Sequence, residues 1–327
     1  MNATAALLLC DPSPALRYRV LTGLLGVPPD DPEAEDLDRR RREDPETAAL
    51  LATGGDDPRR LSWALCRLAW LGIGAEEPAV AALAERVFDR QRPDGAWPLP
   101  RSTGRRGGEG SYTMAPLQTA LPLRGLAAAG LATDPRAERA YRWLLDQRLD
   151  DGAWPMGEAA GQPGFIAGYR KLPGSRGCRA TTQGALACLV LHPRLRRSEA
   201  TRSALDLLLQ RETRDQWALG SEVARLAGVE PPAGFVTFYA RFDLAFLLDL
   251  AGRAGAAASD ARVADLVGFL LDRRGDNGLW SHPAHPELDR WLTFDLLASL
   301  ARVRAGDWEG VAPRVRFRAY PARQRRY

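Results

Sequence analysis

The chain has 327 residues, a hydrophobic fraction of 45% and nine tryptophans, enough for one large core or two ordinary ones. Its formal charge is only +4, because 45 basic residues face 41 acidic ones, and all the basic residues but Lys171 are arginine. Mixed-sign stretches such as 38–44 read as solvated helix surface, which speaks against a nucleic-acid partner. Four cysteines without a CxxC pair exclude a disulfide framework. The apolar run near the N-terminus is too short for a signal peptide, and no apolar stretch approaches the ~20 residues that cross a bilayer. These features predict a soluble, cytoplasmic protein with reduced thiols and no transmembrane segment, with peripheral membrane contact left open.

In chain order, residues 1–57 hold short charged helices that open or brace the fold. An apolar helix is predicted over Arg60–Gly72 and an amphipathic one over Pro78–Arg90, running into Gln91-Arg-Pro-Asp94-Gly95-Ala-Trp97. A Gly-rich loop with Arg105 and Arg106 follows, then an apolar helix over Met114–Gly130. Pro135–Gln147 is amphipathic, opened by Asp134-Pro135, and ends at Gln147-Arg-Leu-Asp-Asp151-Gly152-Ala-Trp154. The pattern repeats with Arg179–Leu191, Ser198–Arg211 and a decayed segment Gln210–Trp217 that has lost its glycine. It repeats again with Phe235–Ala251, Asp260–Arg273 and Asp276-Asn277-Gly278-Leu-Trp280, before the last apolar helix, Leu288–Val303. Residues 306–327 form an arginine-rich tail, either exposed or laid on the domain as a strand.

Trp97, Trp154, Trp217 and Trp280 are 57, 63 and 63 residues apart, the signature of a repeat. An apolar helix must be covered on every side, whereas an amphipathic one covers a surface. Their alternation over residues 58–305 predicts an all-α protein, an α/α toroid of helical hairpins in two concentric layers with the amphipathic helices outside. The Asp-Gly-x-Trp segments read first as structural clamps, with Gly supplying the positive φ that ends each outer helix.

Gln-x-x-Asp-Gly-x-Trp resembles the QW motif of the prenyltransferase/squalene-cyclase repeat family; the copy at Gln91–Trp97 is complete and the others are altered. The stretches Trp63–Gly72 and Phe238–Leu244 also resemble that family. The resemblance spans about residues 12–305. It implies a terpenoid cyclase/protein prenyltransferase-like toroid with a central cavity and, by extension, a class II terpene-cyclase-like enzyme of isoprenoid biosynthesis. Such an enzyme starts a carbocation cascade on an isoprenoid or polyene by protonating it, and requires no cofactor. The Asp-x-Asp-Asp acid motif of the related cyclases is missing.

The chemistry calls for an acid kept protonated in apolar surroundings and aromatic faces for cations. Asp243 and Asp295, each in Phe-Asp-Leu on an apolar helix, are the candidate catalytic acids, Asp243 first. The same duplication suits an Asp that merely bonds a neighbouring loop. Phe238, Tyr239, Phe242, Trp291 and Phe294 are candidate substrate-binding residues beside them, and Arg105 and Arg106 could hold an anionic group. Two alternatives stand beside this reading. A non-catalytic toroid that binds a lipid or a protein would also lack the acid motif. Zinc-dependent prenyl transfer would need ligands such as Cys178, His282 and His285, but the two histidines sit in a Pro-rich connector, and no metal site is assigned.

Overall fold

The computed structural model describes residues 3–97, 115–155, 172–212, 218–230, 242–313 and 315–316. Their regular structure is helical, apart from a two-residue parallel pairing of β1 (Arg211–Glu212) with β2 (Val315–Arg316) and two isolated bridges. That pairing lays the start of the C-terminal tail on the domain. The N-terminal region forms α1 (Ala3–Leu9), α2 (Pro14–Arg19), a π-helical turn (Val20–Leu24), α3 (Pro32–Arg42) and α4 (Pro45–Leu51). Asp31-Pro32, Asp44-Pro45 and Asp57-Pro58 each start a helix by one device. Proline occupies the first turn, where its missing N–H costs nothing, and the aspartate accepts an amide hydrogen bond two residues on.

Two kinds of helix alternate after that. α5 (Pro58–Trp70), α7 (Ala115–Leu126), α9 (Arg179–Leu189), α11 (Ser221–Leu226), α12 (Leu244–Ala254) and α14 (Asp289–Arg304) are the apolar series. Every residue of α9 and α11 is buried. α6 (Pro78–Phe88), α8 (Pro135–Asp146), α10 (Glu199–Leu209) and α13 (Ala261–Leu271) bury one face only; in α8 that face is Ala137, Ala140, Tyr141 and Leu144. Members of the apolar series pack on one another, α5 on α7, α7 on α9 and α12 on α14, while α6, α8, α10 and α13 lie against α5, α7, α9 and α12 respectively. One continuous apolar core runs through them from Leu8 to Val303.

The tryptophan segments are built alike. The indole Nε1 of Trp97, Trp154 and Trp280 donates to the carbonyl ten residues earlier, on Val87, Leu144 and Leu270, at 2.8, 2.7 and 2.6 Å. The backbone N of each donates to a threonine hydroxyl on the following apolar helix: Thr119, Thr182 and Thr293. Asp94, Asp151 and Asn277 each accept from the amide two residues on. The tryptophan therefore ties the end of one helix to the start of the next. Trp217 lies outside the described residues.

The glycines of these segments have positive φ and sit against the next element. A Cβ would come within 2.7 Å of the Arg139 carbonyl on α8 at Gly95, 2.7 Å of Ser203 Oγ on α10 at Gly152, and 2.9 Å of Thr4 Oγ1 on α1 at Gly278. The last contact brings the end of the chain against its beginning.

Among the described residues no helix is long and apolar enough to cross a membrane.

Candidate functional site

A cavity of about 180 Å³ lies among the apolar helices. α2, α5, α7, α9, α11, α12 and α14 contribute to its wall, and among the described residues α6, α8, α10 and α13 do not. Trp70 and Phe246 give it aromatic faces, set among alanine, valine and leucine. Six charged residues also line it, Arg19, Arg124, Arg253, Glu222, Asp249 and Asp295, each from a helix whose surroundings are apolar.

Asp295 is held from two directions. Trp70 Nε1 donates to its Oδ2 at 3.1 Å, and Arg19 Nη2 stands 3.8 Å from Oδ1. Arg19 in turn donates Nη1 to the Trp70 carbonyl at 2.6 Å, and its guanidinium lies over the Phe294 ring. Burial pushes the Asp295 carboxyl above the usual carboxylate range; Arg19 and the Trp70 hydrogen bond oppose that push, and the nearby charge of Asp249 adds to it.

Asp249 goes the other way. Burial would raise it too, but Arg253 Nε reaches Oδ2 at 2.7 Å and Arg302 Nη1 reaches Oδ1 at 2.8 Å, and the two guanidiniums hold its carboxyl below the ordinary range. Two cavity carboxyls are thus driven apart in acidity, Asp249 toward the ionised form and Asp295 toward the protonated one. Across the cavity, Glu222 pairs with Arg124 and Arg225, which outweigh its burial and keep it ionised.

The residues expected from sequence fall in different places. Asp295 lines the cavity. Trp291 is buried behind it, its ring 3.9 Å from that of Trp70, and Phe294 lies under Arg19; both back the wall without lining it. Phe242 is half-buried beneath the Arg179 guanidinium. Phe238, Tyr239, Arg105 and Arg106 lie outside the described residues.

Asp243 occupies a different position from the expected one. The apolar helix begins at Leu244, so Asp243 is its N-cap rather than an interior residue. Its carboxylate accepts from the amides of Gly220, Glu222, Ala245 and Phe246, joining the starts of α11 and α12, and it is absent from the cavity wall. Burial raises its proton affinity, opposed by the Glu222 amide and Arg225.

Of the residues considered as zinc ligands, His282 is engaged within its own turn. His282 Nδ1 accepts from the amides of Ala284 and His285, and Nε2 faces the Gly220 carbonyl at 3.0 Å. His192 makes the same turn, with Nδ1 on the amides of Arg194 and Leu195 and Nε2 on Glu138. In both, a His-Pro step closes a turn. Among the described residues no group of three metal-ligating side chains occurs.

Arg19, Trp70, Arg124, Glu222, Asp249 and Arg253 were not singled out in the sequence. Asp249 carries the same signal as Asp295, a lone acid in an apolar helix, and was open to the same argument. Arg19 carries none, because its place depends on a contact with α14 across nearly the whole chain.

Neither a family model nor a curated protein matches this chain.

Proposed function

We propose that the chain is a single-domain, class II terpene-cyclase-like enzyme that starts a carbocation cyclisation of an isoprenoid or polyene in its cavity, with Asp295 as the proton donor. The observation that carries this reading is the pairing of Asp295, pushed toward its protonated form, with the ionised Asp249 in a wall that also presents Trp70 and Phe246. An alkene cannot be protonated by a carboxylate, so an acid for this chemistry must keep its proton at neutral pH. Partial burial beside the ionised Asp249 moves Asp295 in that direction, against the pull of Arg19.

In the step proposed, the Asp295 proton passes to one alkene carbon and the π pair forms the new C–H bond. The cation on the other carbon is attacked by the next double bond, closing a ring. Aromatic faces of Trp70 and Phe246 stabilise the positive charge as it moves. Loss of a proton from the final cation returns Asp295 to its acid form, so the reaction is a net isomerisation.

A closed ring of hairpins is the architecture this reading needs. It is supported by the packing of α5 on α7 on α9 and of α12 on α14, and by the Trp70–Trp291 stack between α5 and α14. The contact of Gly278 with Thr4 points the same way, since α1 takes there the place that α8 and α10 take against Gly95 and Gly152.

The test is product analysis by mass spectrometry after incubation with a panel of linear polyprenyl alcohols, diphosphates and hydrocarbons. Asp295→Asn is expected to lower turnover by at least about 100-fold, the scale of a lost general acid. Asp243→Asn is expected to keep most of it. Full turnover by Asp295→Asn sinks the assignment. Saturable binding of the panel without conversion by the wild type favours the binding-module alternative.

A further inference from the structure

The cavity reading leaves an excess of positive charge. Three guanidiniums, Arg19, Arg253 and Arg302, surround two carboxyls, Asp249 and Asp295. Burial and the like charges of Arg253 and Arg302 weaken the Arg19 guanidinium's hold on its proton, with Asp295 pulling against them. A half-buried cation without a full counter-charge still pays part of its desolvation, which an anion in the cavity would offset.

Donors are also left over. Arg253 gives Asp249 only its Nε, and among the described residues its two terminal amino groups hold no hydrogen-bond partner. Arg19 Nη2 is at 3.8 Å from Asp295, beyond hydrogen-bond distance. Both residues line the cavity and keep part of their side-chain surface open, 19% for Arg19 and 32% for Arg253. Two guanidinium edges that face one cavity with spare N–H groups match an oxyanion, which accepts several such bonds at once.

We propose that Arg19 and Arg253 form an oxyanion subsite on the cavity wall, which takes the carboxylate or phosphate head of an amphipathic substrate whose apolar body lies along Trp70 and Phe246. This rests on the cavity being the reaction site and adds the class of molecule it accepts. It also couples binding to chemistry. A negative head beside Arg19 offsets the cation that draws the proton from Asp295, so the occupied site holds a firmer acid than the empty one.

Isothermal titration calorimetry on the full chain tests it, with inorganic diphosphate, inorganic phosphate and octanoate as separate titrants at low salt. At least one titrant is expected to bind saturably, and which one separates a phosphate head from a carboxylate head. Arg253→Gln and Arg19→Gln are expected to weaken that binding by about tenfold or more, with Arg253→Lys intermediate because it keeps the charge but loses the fork. Far-ultraviolet circular dichroism controls for folding, and a glutamine variant that fails it is replaced by the lysine variant at that position. Asp295→Asn is expected to bind the anion at least as tightly as the wild type. Absence of saturable binding for all three titrants, or binding that neither arginine affects, overturns the subsite. Loss of turnover in Asp295→Asn with no anion binding would sink the subsite and leave the acid standing; anion binding with full turnover in Asp295→Asn would do the reverse.

Discussion

The aspartates of this chain show how much a carboxyl's behaviour depends on what it can reach. Asp260 is buried, which alone would raise its affinity for a proton, yet two hydrogen bonds from the Arg262 guanidinium and the amides of Gly310 and Arg262 outweigh that and bring its pKa to about 2. A carboxyl depressed in the folded state stabilises it above the unfolded pKa of about 4 and loses that contribution as pH falls toward the folded value. Asp260→Asn is therefore expected to lie below the wild type in Tm from pH 7 down to about 4, with the gap closing between about pH 4 and 2. A gap that persists unchanged at pH 2 would contradict the ion-pair origin. Asp295 has the opposite sign, since its raised carboxyl costs stability as pH rises through its folded pKa. Asp243 and Asp295 stand in the same Phe-Asp-Leu context, so local sequence could not separate them. What separates them is where each helix begins, and the Leu244 start that turns Asp243 into a cap is fixed by amides on α11 that only the folded chain supplies.

At the scale of the element, the repeat was legible because each copy needs the same few atoms. Trp97, Trp154 and Trp280 each bridge a helix end to a threonine, and tryptophan and glycine are hard to replace there. The substitutions that blur the motif keep its hydrogen bonds: Gln91 donates to the Gly95 carbonyl, and in the last copy Arg274 donates to the Gly278 carbonyl instead. The two kinds of helix were legible in part: α9 and α11 are wholly buried as hydrophobic periodicity predicts, whereas α5 and α14 of the same series leave about half their residues partly or fully exposed. Helix ends were less so; the segment expected to run through Gly130 as one helix passes at Ala127–Leu131 into a π-helical turn. Two glycines measure the cost of the close packing. Gly26 and Gly152 both have positive φ, but a Cβ at Gly26 meets nothing within 4 Å whereas one at Gly152 strikes Ser203. Gly26→Ala is expected to cost about 1 kcal/mol for backbone strain alone. Gly152→Ala is expected to cost at least about 2 kcal/mol, with overpacking added to strain. Equal losses in urea unfolding would mean that the helix contact at Gly152 is slack.

The whole molecule supplies what neither residue nor element can. Arg19 on α2, Trp70 on α5, Asp249 and Arg253 on α12 and Asp295 on α14 share a cavity only because the first helices of the chain meet the last. Asp295 was legible from its apolar helix and Arg19 was not, because charge partners hundreds of residues apart leave no local trace. The same meeting of helices sets the field at the site: Arg253 and Arg302 fix Asp249 as an anion, and that anion, together with burial, raises the proton affinity of Asp295. The most direct test is the titration of that one carboxyl by carbon-13 NMR on aspartate-labelled protein, assigned as the resonance missing from Asp295→Asn. The expected result is a midpoint clearly above the ordinary aspartate value of about 3.9, moving lower in Asp249→Asn. A midpoint at or below 3.9, or one that leaves the group ionised at the pH of turnover, would contradict the account, since the cavity would then hold a carboxylate where an acid is required.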